Sequence, residues 1–217
     1  MFRSKELPEP SVLLDAVHSL SMNECVSTAT PTGLSSTDPE VVTLRRATTQ
    51  DAATLALVGA ATFLEAFTWM LPGADIIEFC ATQHSRELYA KYLALPTTRI
   101  TLAVAGVDAP VGYAMLTAPD LPSISTSADD VELKRIYLFS RFRSQLVEGV
   151  KASQTLLDAA VADAKSMGAK RLLLGTHAGN ARAVAFYRRN GFEIVGTRTF
   201  RVGEQNCCDY VMAKDLR

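Results

Sequence analysis

The run Asn180-Ala-Arg-Ala-Val-Ala-Phe-Tyr-Arg-Arg-Asn-Gly-Phe192 follows a short apolar stretch and carries groups at offsets that could serve chemistry. Asn180 can cap a helix by accepting a bond from an early backbone N–H, and Gly191 suits the left-handed position that ends one. Between them stands Tyr187. Its phenol, with an ordinary pKa of about 10, is close enough to a thiol, at about 8.5, to exchange protons with it. The combination points to an acyl-transfer enzyme. The plainer alternative is an amphipathic helix that buries Phe186 and Tyr187 against a sheet.

For such groups to act, neighbouring elements must hold them. The stretch 171–175 is almost wholly apolar, as a strand covered on both faces would be. Upstream, 131–139 reads as another strand, and strict alternation along it puts Glu132 and Ile136 on one face. Residues 153–167 carry Leu156, Leu157, Ala160, Val161 and Ala164 on one helical stripe that stops at Gly168. Near the start, 41–48 alternates as a strand, Thr49-Gln-Asp51 signals a helix start, and apolar spacing predicts helices over 52–67 and 75–93, separated by Pro72-Gly73. Strands at 98–104 and 111–116 flank Gly106-Val-Asp-Ala-Pro110, and 193–202 and 208–213 pair around Gly203-Glu-Gln-Asn206. The order is strand, two helices, three strands, helix, strand, helix, two strands. That is an α/β (α+β) arrangement, a mixed sheet of about six to seven strands flanked by about four helices.

Composition narrows the function. The 217 residues, 48% hydrophobic, suffice for one core. Lys and Arg total 22 against 23 Asp and Glu, so no global field draws in nucleic acid or an anionic membrane. Cys25, Cys80, Cys207 and Cys208 lack metal-ligand spacing, and His18, His84 and His177 lie far apart, so no metal site is expected. His84 and His177 read as surface or capping residues. No apolar run reaches the roughly 18–20 residues that span a bilayer. Residues 22–39 are rich in Ser, Thr and Pro, so 1–40 is expected to be a poorly ordered extension and 41–217 the folded domain. The acidic residues near the start do not suit a targeting peptide, and the cytoplasm is the expected location.

Element order and motif together resemble the GNAT N-acetyltransferases. The family's N-x-x-A-x-x-F-Y-x-x-x-G-F run is present as Asn180, Ala183, Phe186, Tyr187, Gly191 and Phe192. Glu132-Leu-Lys-Arg-Ile-Tyr-Leu138 resembles the family's E-L-x-R-I-Y-V strand. Phe200-Arg-Val-Gly203 followed by Asp209-Tyr-Val-Met-Ala-Lys214 is similar to the tail of the bacterial polyamine acetyltransferase branch. The resemblance covers about 41–216.

It implies an acetyl-CoA-dependent enzyme that moves an acetyl group to a primary amine of a small molecule, such as a polyamine, in a ternary complex. Glu132 would take the amine's proton through water, and Tyr187 would protonate the departing sulfur. The strand backbone at Ile136, Tyr137 and Leu138 would pair with the pantetheine arm, and Asn180 could touch its amide. A diphosphate suits a helix N-terminus, so the receptor would be the turn Gly149, Val150, Lys151, Ala152 and Ser153, with Arg143 facing phosphate. The chain departs from the family here: Arg143 to Ser153 is longer by about five positions than the usual R/Q-x-x-G-x-G/A loop, with Lys151 and Ser153 where glycines are commonest.

Other roles stay open. Glu132 could equally be a solvent-facing residue paired with Lys134 or Arg171, and the altered loop could be a flexible insertion. Glu65, Asp75 and Glu78 could form an acidic mouth, and Trp69 and Met70 could close the substrate side. A non-catalytic acyl-CoA sensor and a protein N-terminal or lysine acetyltransferase are the competing functions. No nucleic acid or membrane partner is expected, and a homodimer is left open.

Overall fold

The computed structural model describes residues 41–217; the expected extension over 1–40 lies outside them. In chain order the elements are β1 (Val42–Arg46), a 3-10 turn at Thr49–Asp51, helices α1 (Ala52–Phe67), α2 (Gly73–Gln83) and α3 (Arg86–Ala94), and strands β2 (Arg99–Ala105), β3 (Ala109–Thr117) and β4 (Asp130–Leu138). A small hairpin, β5 (Leu146–Val147) and β6 (Val150–Lys151), precedes α4 (Ala152–Ser166). Then come β7 (Arg171–His177), α5 (Ala181–Arg189), β8 (Glu193–Val202) and β9 (Gln205–Asp215). Seven strands form one mixed sheet in the order β1-β2-β3-β4-β7-β9-β8. Only β4 and β7 are parallel neighbours, which makes α4 the crossover between them.

Three local features differ from the sequence expectation. The helix expected over 75–93 is two helices, because Ser85 leaves helical geometry and its Oγ accepts from the Leu88 amide at 3.2 Å, starting α3 afresh. Among the described residues there are thus five helices. The loop between Arg143 and Ser153 is ordered as the β5–β6 hairpin, turned at Glu148 and Gly149, both at positive φ (51° and 83°). A two-residue turn of this kind matches the twist of its strands, and glycine adopts the second position without strain. The last hairpin also turns on two residues, Gly203 and Glu204, rather than four, since Val202 pairs with Gln205.

Alternation along β2, and along β3 from Gly112 onward with Val111 as an extra residue, divides the core into two layers. Ala103, Ala105, Val111, Ala114 and Leu116 face α4 and α5, joining Leu156, Leu157 and Ala160. Ile100, Leu102, Val104, Tyr113 and Met115 face α1 and α3, joining Leu55, Val58 and Tyr89. Each fully buried leucine of these layers contributes roughly 1.5–3 kcal/mol relative to exposure, whereas a surface ion pair contributes at most about 1 kcal/mol, so apolar packing sets where the helices sit.

Strict alternation fails in β4. Leu133 pairs with Leu116 and Arg135 with Met115, leaving Lys134 as an extra, bulged residue. Leu133 and Ile136 therefore share the α4 face, while Tyr137 joins the α1 face. The expectation that Glu132 and Ile136 point the same way is overturned: the bulge shifts the parity by one residue, and Glu132 keeps company with Arg135 and Tyr137.

Candidate active site

β4 and β7 pair only at Asp130–Arg171, Val131–Leu172 and Glu132–Leu173. Beyond that point they part. β4 from 133 to 138 and β7 from 174 to 177 form the walls of an open cavity of about 710 Å³ that reaches both faces of the sheet. The divergence leaves a stretch of β4 edge without a strand partner, and an extended ligand carrying amide groups can pair there as a missing strand would.

On the α4 face, α5 supplies Tyr187. The Asn180 Oδ1 accepts from the Ala183 amide at 3.1 Å, which fixes the start of α5, and three residues of its last turn, Phe186, Tyr187 and Arg188, have their carbonyls bonded by the amides of Asn190, Gly191 and Phe192. Tyr187 is buried between Phe186 and Phe192, with ring centroids 5.6 and 5.7 Å away, and lines the cavity. Burial first, and then the Tyr137 phenol, push its pKa far above the ordinary phenol range, so it holds its proton at any physiological pH. Burial thus makes it a weaker acid than a phenol in water and widens its gap from a thiol. Asn180 also lines the cavity.

Glu132 sits where the strands begin to part. It is 2% exposed, which overturns the solvent-facing alternative. Its Oε2 accepts from the Asp120 amide at 2.8 Å, and Lys134 Nζ is 3.9 Å away. Arg171, the other imagined partner, instead pairs with Asp130 at 2.7 Å. Burial raises the Glu132 pKa against the opposing pull of Lys134. A carboxylate so raised is a better base than one in water.

The α4 N-terminus differs from expectation. Ala152 N donates to Gln145 O at 2.7 Å and Ser153 N to Arg143 O at 3.4 Å, so two amides expected to be free are already bonded to carbonyls of the hairpin. Arg143 is drawn inward: its Nε donates to Leu138 O at 2.9 Å and its Nη2 lies 3.5 Å from Glu65. Of the proposed binding residues, Ile136, Tyr137, Leu138, Arg143, Lys151 and Ser153 border the cavity, while Gly149, Val150 and Ala152 do not. The first two belong to the exposed hairpin and Ala152 to the core.

The α1 face contains groups that sequence reasoning passed over. Asp209 faces Arg198 across the β8–β9 hairpin at 3.2 Å and His177 across β7–β9 at 4.0 Å. Gly175 makes room for this: a Cβ there would collide with the Arg198 guanidinium. Burial raises the Asp209 pKa, with Arg198 opposing. The two-residue turn at Gly203 was the available signal, because it alone puts Arg198 opposite Asp209. His84, expected at the surface, is 3% exposed. Trp69 and Met70 border the cavity, with the Trp69 ring 6.3 Å from His177. None of Glu65, Asp75 and Glu78 lines it, so the acidic mouth does not form. Glu65 is held by the Ser140 amide and hydroxyl, and Asp75 lies beneath Gly203.

Among the described residues, no helix is long and apolar enough to cross a membrane, and no three His, Cys, Asp or Glu side chains gather to hold a metal.

Comparison with known proteins bears on the family and the fold. The acetyltransferase (GNAT) family profile matches residues 64–192. An uncharacterized N-acetyltransferase of Mycobacterium bovis is 37% identical over 166 residues, spanning 76% of this chain and 98% of the relative. The PaiA N-acetyltransferase of Thermoplasma acidophilum, solved in complex with coenzyme A, superposes with a TM-score of 0.62 at 21% identity, covering 81% of this chain and 99% of that one. A spermidine N-acetyltransferase chimera of Vibrio cholerae and human-type sequences gives 0.56 at 18% identity, with 81% and 95% coverage. At such identities the two structures speak for the fold.

Proposed function

Because this chain belongs to the acetyltransferase (GNAT) family and is an acetyl-CoA-dependent N-acetyltransferase, we propose that it acetylates the primary amine of a small molecule held on the α1 side of the parted strands. The observation that carries this is the divergence of β4 from β7 after Glu132, with Tyr187 on one side of the opening and Glu132 at its apex. Acetyl-CoA supplies the thioester. The open edge at Ile136, Tyr137 and Leu138 suits its pantetheine arm, with Asn180 beside it, and Lys151, Arg143 and Ser153 lie where its diphosphate would meet the start of α4.

Each residue then has a definite task. Glu132 takes a proton from the amine, directly or through water, so that the nitrogen attacks as a free base. As the new carbon–nitrogen bond forms and the carbon–sulfur bond breaks, the Tyr187 hydroxyl gives its proton to sulfur. The acylated nitrogen sheds its second proton to solvent, solvent reprotonates Tyr187 and takes the proton held by Glu132, and the net change from an ammonium acceptor is one proton delivered to the thiol and one released. Binding the diphosphate on the first amides of α4 requires the hairpin to release Ala152 N and Ser153 N; with the hairpin closed, Lys151 and Arg143 side chains carry that contact alone. The acceptor chamber is aromatic, through Phe67, Trp69 and Phe200, and its carboxylates are Asp120, Glu132 and Asp209 rather than Glu65, Asp75 and Glu78.

The test is thiol release from acetyl-CoA across a panel of polyamines, amino acids, arylalkylamines and aminated antibiotics, with the acetylated product identified by mass. Coenzyme A binding without any acceptor-dependent release would overturn the proposed acceptor class.

A further inference from the structure

The α1 side of the cavity holds a buried cation with no anion. Arg135 is 8% exposed, and its Nη1 is buried without a hydrogen-bond partner. Its charged end lies over the Tyr89 and Tyr92 rings, 5.4 and 5.9 Å from their centroids, and it takes part in no ion pair with an Asp or Glu among the described residues. Aromatic faces attract a guanidinium but satisfy none of its N–H groups, and the Tyr89 hydroxyl beside it still leaves Nη1 without a partner. Burying such a charge unpaired is among the costlier arrangements a fold can hold. Natural sites that keep one commonly await a ligand.

His84 stands beside it in the same condition. Its Nδ1 is 2.9 Å from the Tyr89 hydroxyl, which is 2.7 Å from the Tyr113 hydroxyl, and its Nε2 is buried without a partner. One proton arrangement serves every member of this chain: Tyr113 donates to Tyr89, Tyr89 donates to Nδ1, and the ring's own proton sits on Nε2. Burial, followed by the Arg135 charge, holds the His84 pKa down to about 3, so the ring stays neutral in this arrangement. Gly59 permits it, since a Cβ there would overlap both His84 Nδ1 and the Tyr89 hydroxyl. Two unsatisfied donors, Arg135 Nη1–H and His84 Nε2–H, thus belong to residues lining the cavity, and no acceptor answers them.

The β4 bulge relates them to the reaction centre. By taking up Lys134, it puts Arg135 on the face of Glu132, about two strand steps or roughly 7 Å along. We propose that Arg135 and His84 form an anion subsite that receives the carboxylate of the acceptor, so that the substrate is a small aminocarboxylate with its amine at Glu132 and its carboxylate at Arg135. This rests on the acetyltransferase reading and narrows its acceptor. Polyamines and simple amines leave both donors unanswered.

The experiment compares matched pairs under saturating acetyl-CoA with the full-length enzyme: phenylalanine against phenethylamine, and γ-aminobutyrate against propylamine. The carboxylate-bearing member of at least one pair is expected to be favoured by about 10- to 100-fold in kcat/KM, because a site built to meet a charged group rejects the analogue lacking it. In Arg135→Gln that ratio falls towards one, chiefly through KM for the carboxylate-bearing member. His84→Gln lowers it by a smaller factor and serves where Arg135→Gln fails to fold. Equal rates within both pairs, a preference for the decarboxylated members or for spermidine, or a ratio unmoved in both variants would overturn the subsite while leaving acetyl transfer intact. Loss of coenzyme A binding in the parent enzyme would instead overturn the acetyltransferase reading and the subsite with it.

Discussion

On the α4 and α5 face of the sheet, the walls of the cavity belong to the main apolar core. Leu156, Leu174 and Tyr187 both line the opening and pack into the interior, and the charged side chains that border it there, Arg143, Lys151, Arg182 and Arg189, are exposed or half-buried. On the α1 face the same opening is bordered by Glu132, Arg135, His84, His177, Arg198 and Asp209, most of them buried and several incompletely satisfied. The first face is built as a fold is built, by burying carbon. The second keeps charges that contribute little to stability, because desolvation offsets their attraction. Under the proposed function, the contrast means that holding the cosubstrate is a by-product of the strand divergence, whereas choosing the acceptor requires groups the fold would be cheaper without.

The comparison predicts a hierarchy of effects. Leu157→Ala, on the apolar face, should cost about 3 kcal/mol of stability through lost burial and a cavity, measured by urea unfolding. It should leave the ranking of acceptors unchanged, and a changed ranking would break the division between faces. Tyr187→Phe should lower turnover about 100-fold, equivalent to about 2.7 kcal/mol of barrier, with coenzyme A affinity by calorimetry changed much less. An unaltered turnover number removes Tyr187 from the mechanism.

Glu132→Gln should lower kcat/KM about 100-fold and abolish its acid limb, which pH–rate profiles of the two proteins will show. Its stability should move the other way. The folded carboxyl binds its proton more tightly than the unfolded one, so the parent loses stability as pH rises from the ordinary glutamate value of 4.5 through the raised folded value. Glu132→Gln escapes that loss and should unfold no earlier than the parent at pH 7. The smallest effect is Asn180→Ala, which should cost about 1 kcal/mol by loss of the α5 cap. A much larger rise in KM for acetyl-CoA than this destabilisation explains would give Asn180 a direct contact with the cosubstrate.

Much of the α4 and α5 side was legible in the sequence. Asn180, Tyr187 and Gly191 are linked by helix geometry alone, and the stripe from Leu156 to Ala164 states which face of α4 is buried. The first helical region was less so, because Asp75 to Leu93 keeps a continuous apolar period while Ser85 breaks the backbone within it. Period reports the buried face, whereas a cap reports where hydrogen bonding restarts.

Glu132 marks the limit of alternation as a guide. Its position relative to Ile136 followed from period 2, and a single extra residue, Lys134, reversed it. Nothing local in Glu132-Leu-Lys-Arg-Ile-Tyr-Leu138 announces that bulge, since it arises from the match of β4 to β3. The hairpin over α4 was hidden for a similar reason. Glu148 and Gly149 signal a turn, but that the carbonyls of Arg143 and Gln145 meet the amides of Ser153 and Ala152 depends on how the hairpin folds back.

By itself the amino-acid sequence determined the order of the seven strands of the main sheet, the family, the capped helix that carries Tyr187, and the presence of an acid at position 132. These follow from contacts within a few residues along the chain, where spacing and residue type are the physics. Only the tertiary structure decided that β4 and β7 part after Glu132, that Arg135 shares the face of Glu132, and that His84 and Asp209 stand at the same cavity. Those depend on register between strands distant in sequence, where a slip of one residue carries a side chain to the opposite face of the sheet.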